Sequence, residues 1–495
     1  MKPAILALDI GTSAVKASLV SDELKVIYES SQAYETRYLP PMRAEQNPED
    51  WWKAACSASN ALFEAHPEYR NSVCAIGVSG HMLGMLPVDK DGNPLMPSLI
   101  HADNRAIPQA DKIRGAIGAE RIYRLTGNVL SPSASLCKAL WLKENEPEIY
   151  GRTAKILQSK DYLNFRLTGN MDTSDYSDAS HGMLMNISTN QPLADVFAEL
   201  GLNASVIPQL HASDEVIGRL SETAARELGL TAGIPVCAGG GDGACSNVGA
   251  GVAAKNDIYV SLGTTGWIAC NQATPFLDEK QRVFNISSLD GKSCGVFATV
   301  QCVGASIEWV KALFEIESLD KMNIMADSVA AGSDGLIFLP YLEGERSPHF
   351  DPHAKGVFFG IRPYHKPQHF VRSVFEGVSY ALAGVLDILR EQSSFDEMRI
   401  IGGGAKSALW RQMLADTCRI GIREIDASAS AATSIGAAAA AGSAAGVFAS
   451  IEDAALRISR TRVTAPIAEN TAAYLPQMEL FQSLYPLLKP AFHAK

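Results

Sequence analysis

Asp9-Ile-Gly-Thr-Ser13, close to the start of a 495-residue chain, is echoed beyond the midpoint by Ser261-Leu-Gly-Thr-Thr265. Each segment lies at the tip of a pattern that predicts strand, tight turn, strand. In the first half the strands are Ala4–Asp9, Val15–Val20 and Lys25–Tyr34; in the second they are Asp257–Leu262 and Trp267–Asn271. Two copies of one design, one at the head of each half, predict a duplicated architecture. Downstream of each copy, apolar runs such as Val73–Ser79, Gly335–Leu339 and Met398–Ile401 alternate with amphipathic segments such as Pro48–Ala65 and His369–Glu391. The expected fold class is therefore α/β, in two domains flanking a central cleft. Residues 1–248 form the first and residues 249–495 the second, joined through Gly249–Lys255. The tail from Pro466 is expected to be helical and to pack on the second domain.

Composition narrows the function. With 47% hydrophobic and 20% charged residues, the chain reads as a compact globular enzyme. A net charge of −11 without any Lys/Arg block argues against nucleic acid as a partner. The nine cysteines (Cys56, Cys74, Cys137, Cys237, Cys245, Cys270, Cys294, Cys302 and Cys418) include no C-x-x-C pair and read as reduced thiols. The apolar run Ala4–Ile10 is broken by Asp9, which suits a strand and not a signal peptide. Ile435–Phe448, rich in Ala and Gly, is too short to span a bilayer. A soluble, cytoplasmic protein without a membrane partner is expected.

The turns carry the first chemical signal. Glycine lets a backbone approach an anion closely, and neighbouring hydroxyls add donors, so Gly11, Thr12 and Ser13 form one candidate phosphate cradle. Gly263, Thr264 and Thr265 form another. Either alone is an ordinary hairpin turn; a pair at the heads of two related halves is what an ATP clamp needs. Asp9 is a candidate Mg²⁺ ligand, because hard cations prefer carboxylate oxygen, and Lys16 can neutralise phosphate charge. A third glycine cluster, Ile400-Ile-Gly-Gly-Gly-Ala-Lys-Ser407, follows a strand and leads into a helix-like stretch, Ser407–Thr417. It lacks the G-x-G-x-x-G spacing and suits a nucleoside contact better than a dinucleotide site. Val236-Cys-Ala-Gly-Gly-Gly-Asp-Gly-Ala244 places Asp242 among small residues at a strand end. A partly desolvated carboxylate there suits a general base. Locally the same residue also suits the N-cap of a helix over Gly243–Val248.

Together these features resemble the FGGY carbohydrate kinases, from Ile5 to about Pro486. Ser135-Leu-Cys-Lys-Ala-Leu-Trp141 is similar to that family's first signature, with Lys138 and Trp141 in place. Gly356-Val-Phe-Phe-Gly-Ile361 with His369-Phe-Val-Arg-Ser-Val-Phe-Glu376 is similar to its second. Tyr341-Leu-Glu-Gly-Glu-Arg-Ser-Pro348 and the glycine cluster with Trp410-Arg-Gln-Met-Leu-Ala-Asp416 are most similar to xylulokinases. The resemblance implies two ribonuclease-H-like domains of the actin/hexokinase ATPase type, with Mg-ATP bound between them. It implies Asp242 as catalytic base, Asp9, Gly11, Thr12 and Ser13 as the first phosphate and metal site, and Gly263, Thr264 and Thr265 as the second phosphate loop. Gly403, Gly404 and Ser407 would lie against adenosine. The partners implied are a sugar and ATP, with a homodimer as the common assembly.

The pocket departs from the xylulokinase pattern. Where those enzymes carry Gly-Gln-Met-His-Gly, this chain has Gly80-His81-Met82-Leu83-Gly84, and their Trp-Asn-Asp becomes His101-Ala102-Asp103. His81, Met82, Leu83, His101 and Asp103 are the expected sugar contacts. D-xylulose is the expected substrate. Loss of an indole and gain of two imidazoles also suit a larger sugar or a sugar acid, and Ala102-Asp103-Asn104-Arg105 resembles gluconate kinases. An actin-like ATPase without a sugar substrate is the alternative of another class.

Overall fold

A computed structural model describes residues 3–425 and 429–494. Residues 1, 2, 426–428 and 495, at the ends of the expected halves and inside the second, lie outside the described residues. The chain forms two compact units that are not contiguous in sequence. One comprises Met1–Lys255, Asn271–Gly295 and Ser430–Ile458; the other comprises Asn256–Cys270, Val296–Ala429 and Ser459–Lys495.

In the first unit, Ala4–Ile10 is buried at every position except Asp9. An apolar run covered on both faces belongs in the middle of a sheet. It pairs antiparallel with Ala14–Ser21 through the turn at Gly11–Ser13, and parallel with Val73–Gly80 on its other side. The order across the sheet is Val216–Arg219, Pro235–Cys237, Val73–Gly80, Ala4–Ile10, Ala14–Ser21, Val26–Ala33. Parallel neighbours need a long crossover. Pro48–Ala65 supplies it, with Pro at its first turn and Asn47 accepting the Glu49 N–H at its start. Its Trp51, Ala55, Leu62 and Phe63 join Leu6, Leu8 and Val78 in one core.

The Ala/Gly-rich segment returns to this unit as the helix Ala429–Ala444. A Cβ on Gly77 would lie 2.2 Å from the Ala437 carbonyl oxygen, and one on Gly249 1.9 Å from that of Ala432. Small residues here let backbones touch.

The second unit repeats the plan. Ile258–Leu262 pairs antiparallel with Gly266–Gln272 through the turn at Gly263–Thr265, and parallel with Glu397–Gly402, which is itself parallel to Gly421–Ile425. The long helix Pro367–Arg390 is covered on all sides, with every residue from Val371 to Ala383 buried. The tail forms the helix Ala468–Phe492 and packs on helices Ala408–Cys418 and Pro367–Arg390. No helix among the described residues is long and apolar enough to cross a membrane.

Candidate active site

Both Gly-Thr turns are anchored by their carbonyl oxygens. In the first, Gly11 O accepts the Tyr34 hydroxyl, and Thr12 O accepts Thr36 Oγ1 at 2.9 Å and Gln46 Nε2 at 2.8 Å. In the second, Gly263 O accepts the Gly304 N–H at 2.8 Å and Thr264 O accepts that of Ala305 at 3.1 Å, at the start of the helix Gly304–Leu313. A turn tied by its acceptors and carrying glycine and hydroxyls suits an anion. An added Cβ on Gly11 would meet only Ala14 O, at 3.4 Å, and one on Gly263 only Thr265 O, at 3.1 Å.

Asp9 is the next-to-last residue of the strand Ala4–Ile10, in register with Lys16 on one side and Ser79 on the other. Its Oδ2 accepts the Thr433 hydroxyl at 2.6 Å. Burial raises the pKa of Asp9 above the usual carboxylate value, against the lowering effects of Thr433 and Lys16. Asp242 lies close enough to repel it. Burial first, and then the Asp9 charge, push Asp242 from 3.8 up to about 7. The N-cap of the helix Asp242–Gly249 is Gly241 and no side chain caps it; Asp242 is the first helical residue and accepts the Gly243 N–H at 2.8 Å. The capping alternative thus passes to the neighbouring glycine, and the carboxylate is left for chemistry. Two repelling carboxylates with hard oxygen donors suit a divalent cation. No group of three or more His, Cys, Asp or Glu side chains gathers as a metal cluster among the described residues. Mg²⁺ commonly uses one or two carboxylates and takes its other oxygens from phosphate and water. Asp9 fits that requirement.

Met82 packs against the glycine that precedes Asp242: a Cβ on Gly241 would fall 2.6 Å from its sulfur. Leu83 takes a positive φ of 62°. The ring of His81, 2% exposed, lies 6.0 Å from that of His101. Asp103 is buried, with its oxygens engaged by Arg105 and by the Ala44 N–H at 2.7 Å. The first signature supplies a brace: Lys138 Nζ, fully buried, donates to Leu83 O at 2.8 Å and Ile100 O at 2.6 Å. It ties the His81–Leu83 loop to the one that leads to His101 and Asp103. In the second signature Arg372 and Glu376 form a buried ion pair that also binds Ser333 and Tyr474.

The third glycine cluster divides. Gly403 faces open space, whereas a Cβ on Gly404 would lie 2.6 Å from the Trp410 ring. Ser407 caps the helix Ala408–Cys418, accepting the Trp410 N–H at 3.1 Å and donating to Asn323 Oδ1 at 2.8 Å. The structure therefore brings Asp9, Lys16, the Gly11–Ser13 turn, His81, Met82 and Asp242 together in the first unit, and Gly263–Thr265, Gly403, Gly404 and Ser407 in the second. Sequence reasoning passed over Thr433 and Gln46. Neither carries a local signal, since each acts through a partner distant in the chain.

Residues 4–249 match the N-terminal domain of the FGGY family of carbohydrate kinases, and residues 258–445 its C-terminal domain. A xylulose kinase of Bacillus subtilis (strain 168) is 32% identical over 484 residues, 97% of this chain and 96% of that one. A gluconokinase of the same strain is 33% identical over 426 residues, 83% of this chain and 82% of the relative. The structure of ligand-bound xylulose kinase from Lactobacillus acidophilus superposes with a TM-score of 0.92 at 25% identity, covering 99% of each chain. The architecture is that of the actin/hexokinase type, and the reading as an ATPase without a sugar is set aside. From its turns to its signatures, this chain belongs to the FGGY family of carbohydrate kinases.

Proposed function

We propose that this kinase transfers the γ-phosphate of ATP to a hydroxyl of D-xylulose, giving D-xylulose 5-phosphate. The observation that carries the mechanism is Asp242: a carboxylate at a helix start, flanked by glycines and raised to about 7, is matched to accept a hydroxyl proton near neutral pH. Gly11, Thr12 and Ser13 with Lys16, and Gly263, Thr264 and Thr265, receive the phosphates, while Gly403, Gly404 and Ser407 border adenosine. Asp9 would hold Mg²⁺, which would supply charge neutralisation at the transferring group. Met82, held against Gly241 beside the base, with His81, Leu83, His101 and Asp103, orients the sugar. The functional halves are residues 1–248 and 249–495; the protein works in the cytoplasm as a homodimer.

Xylulose kinases among the relatives support the sugar assignment. Gluconate is the second reading, favoured by the gluconokinase relative. Coupled ADP detection across ketopentoses, polyols and aldonates tests both. A clear preference for D-xylulose supports the first; gluconate as best substrate replaces it; ATP turnover indifferent to any sugar refutes the mechanism.

A further inference from the structure

The Trp51 indole N–H can only donate, so the Gln46 atom that it meets at 2.9 Å is the amide oxygen. At its other end the same amide donates to Thr12 O at 2.8 Å and to Thr36 Oγ1 at 2.7 Å. The orientation of Gln46 is thereby set from both sides. His81 Nε2 lies 3.1 Å from that amide oxygen and must carry a proton to bond it. His81 Nδ1 is then a bare acceptor. It is buried and has no protein partner. The ring stays neutral at physiological pH, because burial, with His101 and Lys138 nearby, pushes it down to about 3.

A buried acceptor without a partner is relieved by a ligand that donates and is made worse by one that accepts. A sugar hydroxyl donates. A carboxylate does not, and it would bring its charge against a lone pair. The residue next along the chain, Met82, packs beside the glycine that precedes Asp242, so this acceptor stands on a loop that adjoins the base. We propose that Gln46 and His81 form a specificity device: Gln46 holds the imidazole as its Nε2–H tautomer, and His81 Nδ1 selects an uncharged, hydroxyl-bearing sugar over a sugar acid. The inference rests on the reading of this loop as the sugar site. It also links that loop to the first phosphate turn, since one amide serves His81 and Thr12.

The test compares kcat/KM of the native enzyme for D-xylulose and other neutral ketoses and polyols with that for gluconate and other aldonates. The acids should be poorer by about tenfold or more, as sites built to bond a hydroxyl discriminate strongly. Both His81→Phe and Gln46→Leu should narrow that ratio. An acid preferred by the native enzyme, or a ratio untouched by His81→Phe, overturns the inference and leaves the kinase reading intact. Failure of every sugar to stimulate ATP turnover overturns both. Independently of activity, ¹⁵N NMR of the free native protein at pH 7 should find His81 Nδ1 in the lone-pair range and Nε2 in the N–H range. The opposite tautomer overturns the device.

Discussion

Asp242→Asn should remove activity and stabilise the fold. In the folded protein the carboxylate is raised from 3.8 to about 7 by burial and by Asp9. A raised carboxyl favours the protonated form, so the folded state is at full advantage below the unfolded value and loses stability as pH climbs toward the folded one. At 1.36 kcal/mol per unit, three units would amount to about 4 kcal/mol of penalty at pH 8. The residue is only partly buried at the helix start, so solvent screening reduces this to about 1–2 kcal/mol. Asparagine resembles the protonated acid in shape and carries no charge. The variant should therefore unfold at higher temperature than native at pH 8, by roughly 3 °C, and at the same temperature near pH 4. Turnover under saturating substrates should fall about 10²–10⁴-fold with both ligands still bound, the usual contribution of a general base. In the native enzyme kcat/KM should fall as pH drops through about 7, where the base takes up a proton. Calorimetric unfolding at the two pH values, beside coupled assays, decides. A variant less stable than native at pH 8, or a stability difference independent of pH, would refute the electrostatic account; retained turnover would refute the base.

The remaining expectations follow from contacts. Gly11→Val or Gly263→Val should weaken ATP binding in calorimetry with little change in unfolding temperature, since each Cβ meets only one turn carbonyl; unchanged ATP affinity in both rules out the cradles. Gly239→Ala should do the reverse, losing about 1–3 kcal/mol of stability, because its φ is 66° and a Cβ would fall 2.0 Å from Val78 O. Lys138→Met, which strips two carbonyls of their donor, should raise KM for the sugar far more than for ATP; equal rises would show that the brace serves the whole unit. Restoring the xylulokinase pattern with His81→Gln, Leu83→His, His101→Trp and Ala102→Asn should raise kcat/KM for D-xylulose relative to other sugars, and no change in the ratio would mean that these positions do not select.

Much of the architecture was legible because local rules and global packing agree. The helix Pro48–Ala65 has the bounds that its Pro start and apolar spacing predict. The strand before each Gly-Thr turn forms where its buried run demands it. The site was partly legible. Asp242, Asp9 and both turns stand out by composition, whereas the engagement of Asp103 by Arg105 and of Ser407 as a helix cap emerges only from three-dimensional contacts.

The sequence by itself determined the elements, the duplication and the family, because turn glycines, apolar periodicity and signature residues act over a few positions along the chain. Tertiary structure alone decided the partners. Thr433 reaches Asp9 across 424 positions, from a segment that folds with the first unit although it lies far into the second half. The tautomer of His81 depends on Gln46, and that amide is oriented by Trp51 and Thr12. Hydrogen-bond direction and charge repulsion depend on distances of a few ångströms between residues that no sequence pattern brings together, so the chemistry of the site became readable only once the chain was folded.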